Sequence, residues 1–351
     1  MLNILVRAPN WLGDGVMSLP FFDRLHSRFP DLEVDLIARN SVADLFLHHP
    51  GIATTHSFAQ SELQGLAKRV RFGRRIGRIK SYQGFITLAP SFSSALVGVA
   101  ACRGWRMGYS GEGRELLFTR RLPPPAGLHR VVSYCRLLDL LPRFLSTDAV
   151  AGKEDGNTPV PQVKFPFSAD EQDRTFLDKV PGRVDIVFNV NSQAPSRRLP
   201  LKTWIELGNR LLEDSRSRRR ILFVGTSAEQ PRVARVMAGI NKQHALVDFS
   251  GQTTLRELAL LLRDADLVIS NDSGPMHLAN AVGTPLITFF GAGDPAETSP
   301  FNASETVVIQ KPLPCSPCLK NRCRYPRLHC LERITGDEIY RAAIELENRR
   351  V

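Results

Sequence analysis

Short apolar runs recur along the chain with amphipathic stretches between them. The strand-like runs cover residues 2 to 6, 33 to 37 and 85 to 88, and then 185 to 190, 221 to 224, 245 to 249, 266 to 270 and 285 to 290. Such runs, alternating with helical patterns, predict parallel sheets covered by helices. Between the two sets lies Ser146 to Pro166, with the polar patch Ala151 to Asn157 followed by Pro159, Pro161 and Pro166, and this is the expected linker. The pattern therefore predicts an α/β protein of two Rossmann-like domains facing a shared cleft. In open α/β sheets ligands sit beyond the carboxyl ends of the strands, so each domain can present a site to that cleft.

One junction carries more chemistry than the rest. The run Asp266-Leu-Val-Ile-Ser270 passes through Asn271-Asp-Ser-Gly-Pro275 into a helical pattern that includes Met276 and His277. A helix that starts there offers unpartnered N–H groups and the positive end of its dipole to an anion. Ser273 or Asp272 can cap it, Gly274 admits a ligand close to the backbone, and Pro275 suits the first helical position. A phosphate-bearing ligand fits this junction, and so does a plain capped helix. The first strand leads instead into Gly13-Asp14-Gly15, where Asp14 can serve as helix cap or as a general base with room for a substrate hydroxyl. No G-x-G-x-x-G follows that strand and no G-x-x-x-x-G-K-[ST] occurs anywhere, which argues against hydride transfer with NAD and against a P-loop ATPase.

Length and charge sharpen the picture. With 351 residues and 43% hydrophobic composition the chain can bury two cores. It runs from Met1 straight into Leu2 to Val6 without a signal-peptide pattern, and no apolar run reaches spanning length, so a cytoplasmic protein with mostly reduced cysteines is expected. The net charge of +11 is uneven: residues 1 to 165 hold 21 Lys and Arg against 13 Asp and Glu. Much of the bias lies in Lys68 to Lys80, which contains Arg69, Arg71, Arg74, Arg75 and Arg78 and no acid. Like charges at helical spacing repel, so the segment reads as a polyanion-binding face, for lipid headgroups or a phosphorylated acceptor. Nucleic acid is disfavoured because only Phe72 interleaves with the cations.

Asn10 to Ser18, Ala89 to Ala95, Gly104 to Gly108, the stretch from Gly225 and Ser270 to His277 together resemble the ADP-heptose:lipopolysaccharide heptosyltransferases of glycosyltransferase family 9, in order and over nearly the full length. The resemblance implies the GT-B fold, with an acceptor-binding domain over residues 1–160, a nucleotide-sugar-binding domain over 161–335 and a closing helix over 336–351. It implies an inverting transfer of L-glycero-D-manno-heptose from ADP-heptose to the heptose/Kdo inner core of lipopolysaccharide, at the inner membrane surface. Asp14 matches the family's proposed base, Arg197 a cation near the donor phosphates with Arg198 beside it, and Glu229 an acid that contacts the ribose. Ser273 and Gly274 would complete the phosphate cradle, Asp272 would meet a sugar hydroxyl or loop N–H, and His277 a phosphate or sugar oxygen. A guanidinium suits a diphosphate because its fork donates two hydrogen bonds and stays charged. Arg197 and Arg198 also read as a solvated turn, Glu229 as a surface helix start and His277 as a structural hydrogen-bonder.

Two further clusters bear on cofactors. Asp264-Ala-Asp266 spells D-x-D, but it falls between a helix and the start of a strand and is read as turn and cap residues, so no catalytic metal is required. Cys315, Cys318, Cys323 and Cys330 have spacings that could form a structural zinc site, with His329 as substitute ligand, or a clamp of reduced or oxidised thiols. Cys102 and Cys135 are isolated and expected in the core. The competing functions are another family 9 glycosyltransferase with a different sugar or acceptor, and a noncatalytic nucleotide- or anionic-lipid-binding protein on the same fold.

Overall fold

The computed structural model describes residues 2–144 and 159–349, so the polar patch of the expected linker lies outside the described residues. The chain divides into two compact units, Met1–Phe167 and Ser168–Val351. In the first unit the strands are β1 (Leu2–Arg7), β2 (Leu32–Arg39), β3 (Thr54–Phe58), β4 (Gly84–Thr87), β5 (Trp105–Tyr109) and β6 (Arg120–Leu122), in the order β3-β2-β1-β4-β5-β6. The second contains β7 (Arg183–Asn189), β8 (Arg218–Phe223), β9 (Leu246–Asp248), β10 (Leu267–Asn271), β11 (Leu286–Phe290) and β12 (Thr306–Gln310), in the order β12-β11-β10-β7-β8-β9. Every pairing is parallel. Both sheets are thus doubly wound, with the strand order reversing beside the first strand of each unit.

The helices that matter below are α1 (Leu12–Met17), α2 (Leu19–Arg28), α3 (Leu66–Ile79), α4 (Phe92–Ala101) and α5 (Arg130–Arg136) in the first unit. In the second they are α6 (Leu201–Glu213), α7 (Gln230–Ala238), α8 (Leu255–Asp264), α9 (Gly274–Val282) and α10 (Gly336–Asn348). Local sequence explains their ends. Thr254 accepts from the Glu257 N–H while Glu257 accepts from the Thr254 N–H, a reciprocal cap that starts α8. Gly283, at φ 84°, closes α9 in the left-handed region. The last helix, α10, belongs to the second unit, where Asp337 pairs with Arg210 of α6 at 2.6 Å and Glu347 with Arg219 at 2.8 Å.

Strands β7, β10 and β11 are apolar and buried over most or all of their length, as a strand covered on both faces requires. Beneath them Trp204 of α6 packs its ring 5.0 Å from Phe188 and 5.8 Å from Phe289. Four strands escape the apolar pattern. Strands β3 (Thr-Thr-His-Ser-Phe), β6 (Arg-Arg-Leu) and β12 are edges, and β5 lies next to one, so partial exposure admits polar residues that mask the signal. The basic run Arg218 to Arg220 begins β8. Arg220 makes a forked pair with the buried Asp185 at 2.9 Å on both arms, and buried Arg219 pairs with Asp214 and Glu347, so the charges are neutralised in place.

Asp35 of β2 shows how the first unit holds a buried charge. Burial alone would raise its pKa, but hydrogen bonds from His56, Tyr82 and Lys80, with the Lys80 charge, outweigh it and bring it to about 2. Tyr82 Oη donates at 2.7 Å and Lys80 Nζ at 3.2 Å. Because the folded pKa lies below the unfolded value of about 3.9, the stabilisation is complete above about pH 4 and is lost as pH falls towards 2. Urea unfolding at a series of pH values should therefore show a loss of stability across that window that is smaller in Asp35→Asn. Equal slopes in both proteins would refute the assignment.

Candidate functional site

The reversal point of the second sheet lies between β7 and β10, and polar side chains crowd its carboxyl end. Asn189 closes β7 and is buried, with Nδ2 donating to Ser270 Oγ at 2.8 Å and to Ser273 Oγ at 2.7 Å. Ser273 Oγ in turn donates to the Asn271 carbonyl at 3.2 Å. The amide of Asn271 spans the same gap: Nδ2 donates to the Asn189 and Asn191 carbonyls, and Oδ1 accepts from the Leu199 N–H at 2.8 Å. Ser192 Oγ donates to the Asp272 carbonyl at 3.0 Å. A polar mesh thus fixes the loop between β10 and α9.

The mesh alters the expected capping. Ser273 stands at the N-cap of α9 with extended backbone, yet its side chain makes no capping bond because Asn189 holds it. The carboxylate of Asp272, almost fully buried, lies 3.2 Å from Arg197 Nη1. The N-cap side chain therefore leaves the first turn of α9, at Gly274, without its bond, which is the arrangement an anion site needs. Gly293 faces Asp272 so closely that a Cβ there would lie 2.2 Å from Oδ2.

Other predicted residues fall around this loop. Arg197, on the turn Pro195–Arg197, is part-exposed and oriented by Asp272. Arg198 donates from Nε to the Ser192 carbonyl at 2.6 Å, which commits that edge of the guanidinium to holding its own loop. Glu229 receives hydrogen bonds on Oε2 from the Thr226 N–H at 2.8 Å and hydroxyl at 3.0 Å, so it closes a capping box on the 3-10 turn Ser227–Glu229 that leads into α7. A Cβ on Gly225 would lie 3.3 Å from that same oxygen. His277 is buried in α9. The D-x-D acids lie at the opposite end of the strands: Asp264 accepts from the Phe176 and Leu177 N–H groups and Asp266 from the Asp185 N–H at 2.8 Å.

A family model described as glycosyltransferase family 9 (heptosyltransferase) matches residues 69–329, well over half of the chain. The chain belongs to glycosyltransferase family 9. It is 25% identical over 316 residues to lipooligosaccharide heptosyltransferase 2 of Haemophilus influenzae, covering 88% of each. The E. coli ADP-heptose lipopolysaccharide heptosyltransferase II structure superposes with a TM-score of 0.80 at 22% identity, over 99% of both chains. That of E. coli heptosyltransferase WaaC with ADP gives 0.73 at 20% identity, over 98% of this chain and 100% of the other. The two doubly wound units are therefore those of a GT-B fold, and the protein is a glycosyltransferase.

In the first unit of this transferase, Asp14 lies in the first turn of α1. Tyr134 of α5, buried and absent from the sequence reading, directs its hydroxyl at Asp14 Oδ1 from 3.5 Å. Burial, then the Asp14 charge, push the Tyr134 pKa well above its ordinary value, so it remains a donor. Its only signal in the sequence was a tyrosine on an otherwise ordinary helix.

The basic helix α3 buries Phe72, Gly73 and Ile76 and exposes Arg71, Arg74, Arg75 and Arg78, with Arg69 half-buried. Gly73 and Gly77 let it lie directly on α4, since a Cβ at either would come within 2.6 Å of α4 backbone oxygens. Lys80 leaves the exposed set by pairing with Glu33 and Asp35. A groove of about 330 Å³ follows the helix, lined by Ser61, Glu62, Lys68, Arg71, Phe72 and Arg75.

Cys315, Cys318, Cys323 and Cys330 are free thiols, and among the described residues no three His, Cys, Asp or Glu side chains gather as a metal-binding group. Cys330 packs against Gly291 with its thiol pKa raised first by burial, and Cys323 Sγ donates to the Arg327 carbonyl at 3.6 Å, so local packing and hydrogen bonding occupy them. Cys102 and Cys135 are buried, and burial pushes the Cys135 thiol up to about 12.

Asn189→Ala removes two hydrogen bonds and leaves buried Ser270 with fewer partners. It should destabilise the protein by ~1–3 kcal/mol, read from urea unfolding midpoints at constant slope. An unchanged midpoint would show that the mesh does not depend on that amide.

Proposed function

We propose that this protein transfers L-glycero-D-manno-heptose from ADP-heptose to the heptose/Kdo inner core of lipopolysaccharide, with inversion at the anomeric carbon. The observation that carries the reading is the uncapped amino end of α9 beside Arg197, because it presents N–H groups and a guanidinium together where a diphosphate can bind. The relatives named above as heptosyltransferases support the sugar and the class of acceptor.

In this reading the donor diphosphate lies on the Ser273–Gly274 turn, with Arg197 taking up charge as the bond to the sugar breaks. Glu229 engages Thr226 through Oε2 and offers Oε1 to the ribose hydroxyls. His277 supports the same turn, and Arg198 keeps its shape. Asp14 accepts the proton of the attacking acceptor hydroxyl, and the oxygen of that hydroxyl bonds to the anomeric carbon on the face opposite the leaving group. The electrons of the old C–O bond leave with the terminal phosphate oxygen of ADP. The Tyr134 hydroxyl, 3.5 Å from Oδ1, helps to hold the Asp14 carboxylate in place for that role. The exposed arginines of α3 hold the protein on an anionic membrane surface, in keeping with the fact that no helix among the described residues is long and apolar enough to cross a membrane.

Purified protein, ADP-heptose and a core acceptor should give an acceptor-dependent heptose addition with release of ADP, and a chelator should leave the rate unchanged. Asp14→Asn should lower kcat/KM by roughly 10² to 10⁴ while ADP affinity stays within error. Wild-type turnover in that variant would remove Asp14 as base. Acceptor-independent ADP binding without any transfer would instead favour a binding protein on this fold. Reversing the charges at Arg71, Arg74, Arg75 and Arg78 should abolish salt-sensitive binding to liposomes containing anionic lipid. Retained binding would place the membrane contact elsewhere.

A further inference from the structure

At the carboxyl end of the first sheet the chain buries a cation that has no counter-ion among the described residues. Arg7, the last residue of β1, is 2% exposed. Its Nη1 donates to the carbonyls of Ala8 at 2.6 Å and Ile37 at 3.3 Å, its Nη2 to Asn10 Oδ1 at 2.5 Å, and its guanidinium lies 4.6 Å from the centre of the Phe58 ring. Nε is buried and has no partner, and every contact is with a neutral group. Burying a charge in this way is costly unless something pairs with it.

The neighbouring group increases the charge. Arg39, the last residue of β2, is half-buried; its Nη2 donates to Gln60 Oε1 at 2.5 Å, and it forms no ion pair among the described residues. Burial, and then the Arg39 charge, pull the Arg7 pKa down to about 9, so the Arg7 guanidinium remains charged at neutral pH. Arg7 also fixes the amide of Asn10: with Oδ1 accepting from Arg7, Nδ2 is turned away as a free donor. Trp11, 53% exposed, has its ring 5.9 Å from the Arg39 guanidinium and provides an apolar wall beside these donors. Asp14 follows three residues later on α1.

We propose that Arg39 and Asn10, backed by the buried charge of Arg7, form an oxyanion subsite that takes one carboxylate or phosphate monoester of the acceptor. This rests on the transferase reading for the identity of the ligand, but the site stands on geometry of its own. It is separate from the exposed arginines of α3, which meet a surface rather than a single group. An oxyanion there would satisfy the open edge of Arg39 and the Asn10 amide and relieve the repulsion between two adjacent cations. The wall formed by Trp11 suits the apolar face of a sugar ring.

Calorimetric titration of the full chain with free Kdo, with its methyl ester and with glucosamine 1-phosphate separates the sources of the anion, and needs no turnover. We expect the acid or the phosphate ester to bind and the methyl ester not to. Arg39→Gln should weaken that binding roughly ten- to a hundredfold, and Arg39→Lys less. ADP affinity and melting temperature should stay unchanged in both variants. Arg39 is half-exposed, so its replacement tests the ligand rather than the fold. Equal affinity in Arg39→Gln, or no binding of either anion to the wild type, would overturn the subsite. Anion binding that depends on Arg39 in a protein that transfers no heptose would support it and reject the proposed reaction.

Discussion

Asn189 is the residue on which the second unit's site depends. A doubly wound parallel sheet brings the carboxyl ends of all its strands to one edge, and the polar groups collected there must be satisfied largely by one another. One buried amide joins β7 to both serines of the following loop. Because it engages Ser273, that hydroxyl cannot fold back to cap α9. A cap would satisfy the helix and close it to ligands. The amide therefore makes the loop rigid and leaves the helix end available, and both effects follow from the same pair of hydrogen bonds. Asp272 and Arg197 extend the arrangement: a buried carboxylate orients a half-exposed guanidinium, so the position of the cation is set by the protein itself.

The sequence revealed this plan where burial is complete and hid it where burial is partial. Buried strands such as β7 and β10 carry apolar cores, Ile186 to Phe188 and Leu267 to Ile269, and the small-residue turn after β10 marked the junction read as an anion site. The edge strands β3 and β6 were lost because an edge position tolerates Thr-Thr-His-Ser or Arg-Arg, and β12 because its apolar run is only Val307 to Ile309. The roles of single residues were legible only to the level of residue type. Arg197 and Arg198 look alike in sequence, but one faces a buried carboxylate and the other its own backbone carbonyls. Asn189 was a detectable signal, a polar residue closing an otherwise apolar strand. Tyr134 was not, since its importance comes from a contact with Asp14 across 120 positions of chain.

Charge illustrates the same difference between composition and structure. The second unit holds 25 Lys and Arg from residue 166 onward against 22 acids, and many of these pair off: Arg220 with Asp185, Arg219 with Glu347, Arg256 with Glu171. Such pairs orient strands and helices and leave little field for a ligand. In the first unit the excess is divided by burial. The arginines of α3 are solvated, so their attraction for an anionic surface is long in reach but weakened by salt. Arg7 has little water, no carboxylate and a second guanidinium beside it, so its attraction is short in reach and hardly screened. A membrane surface requires the first kind of charge and a single oxyanion the second. Net charge alone cannot separate them, because it counts an arginine that is neutralised, one that is solvated and one that is buried without a partner as the same quantity.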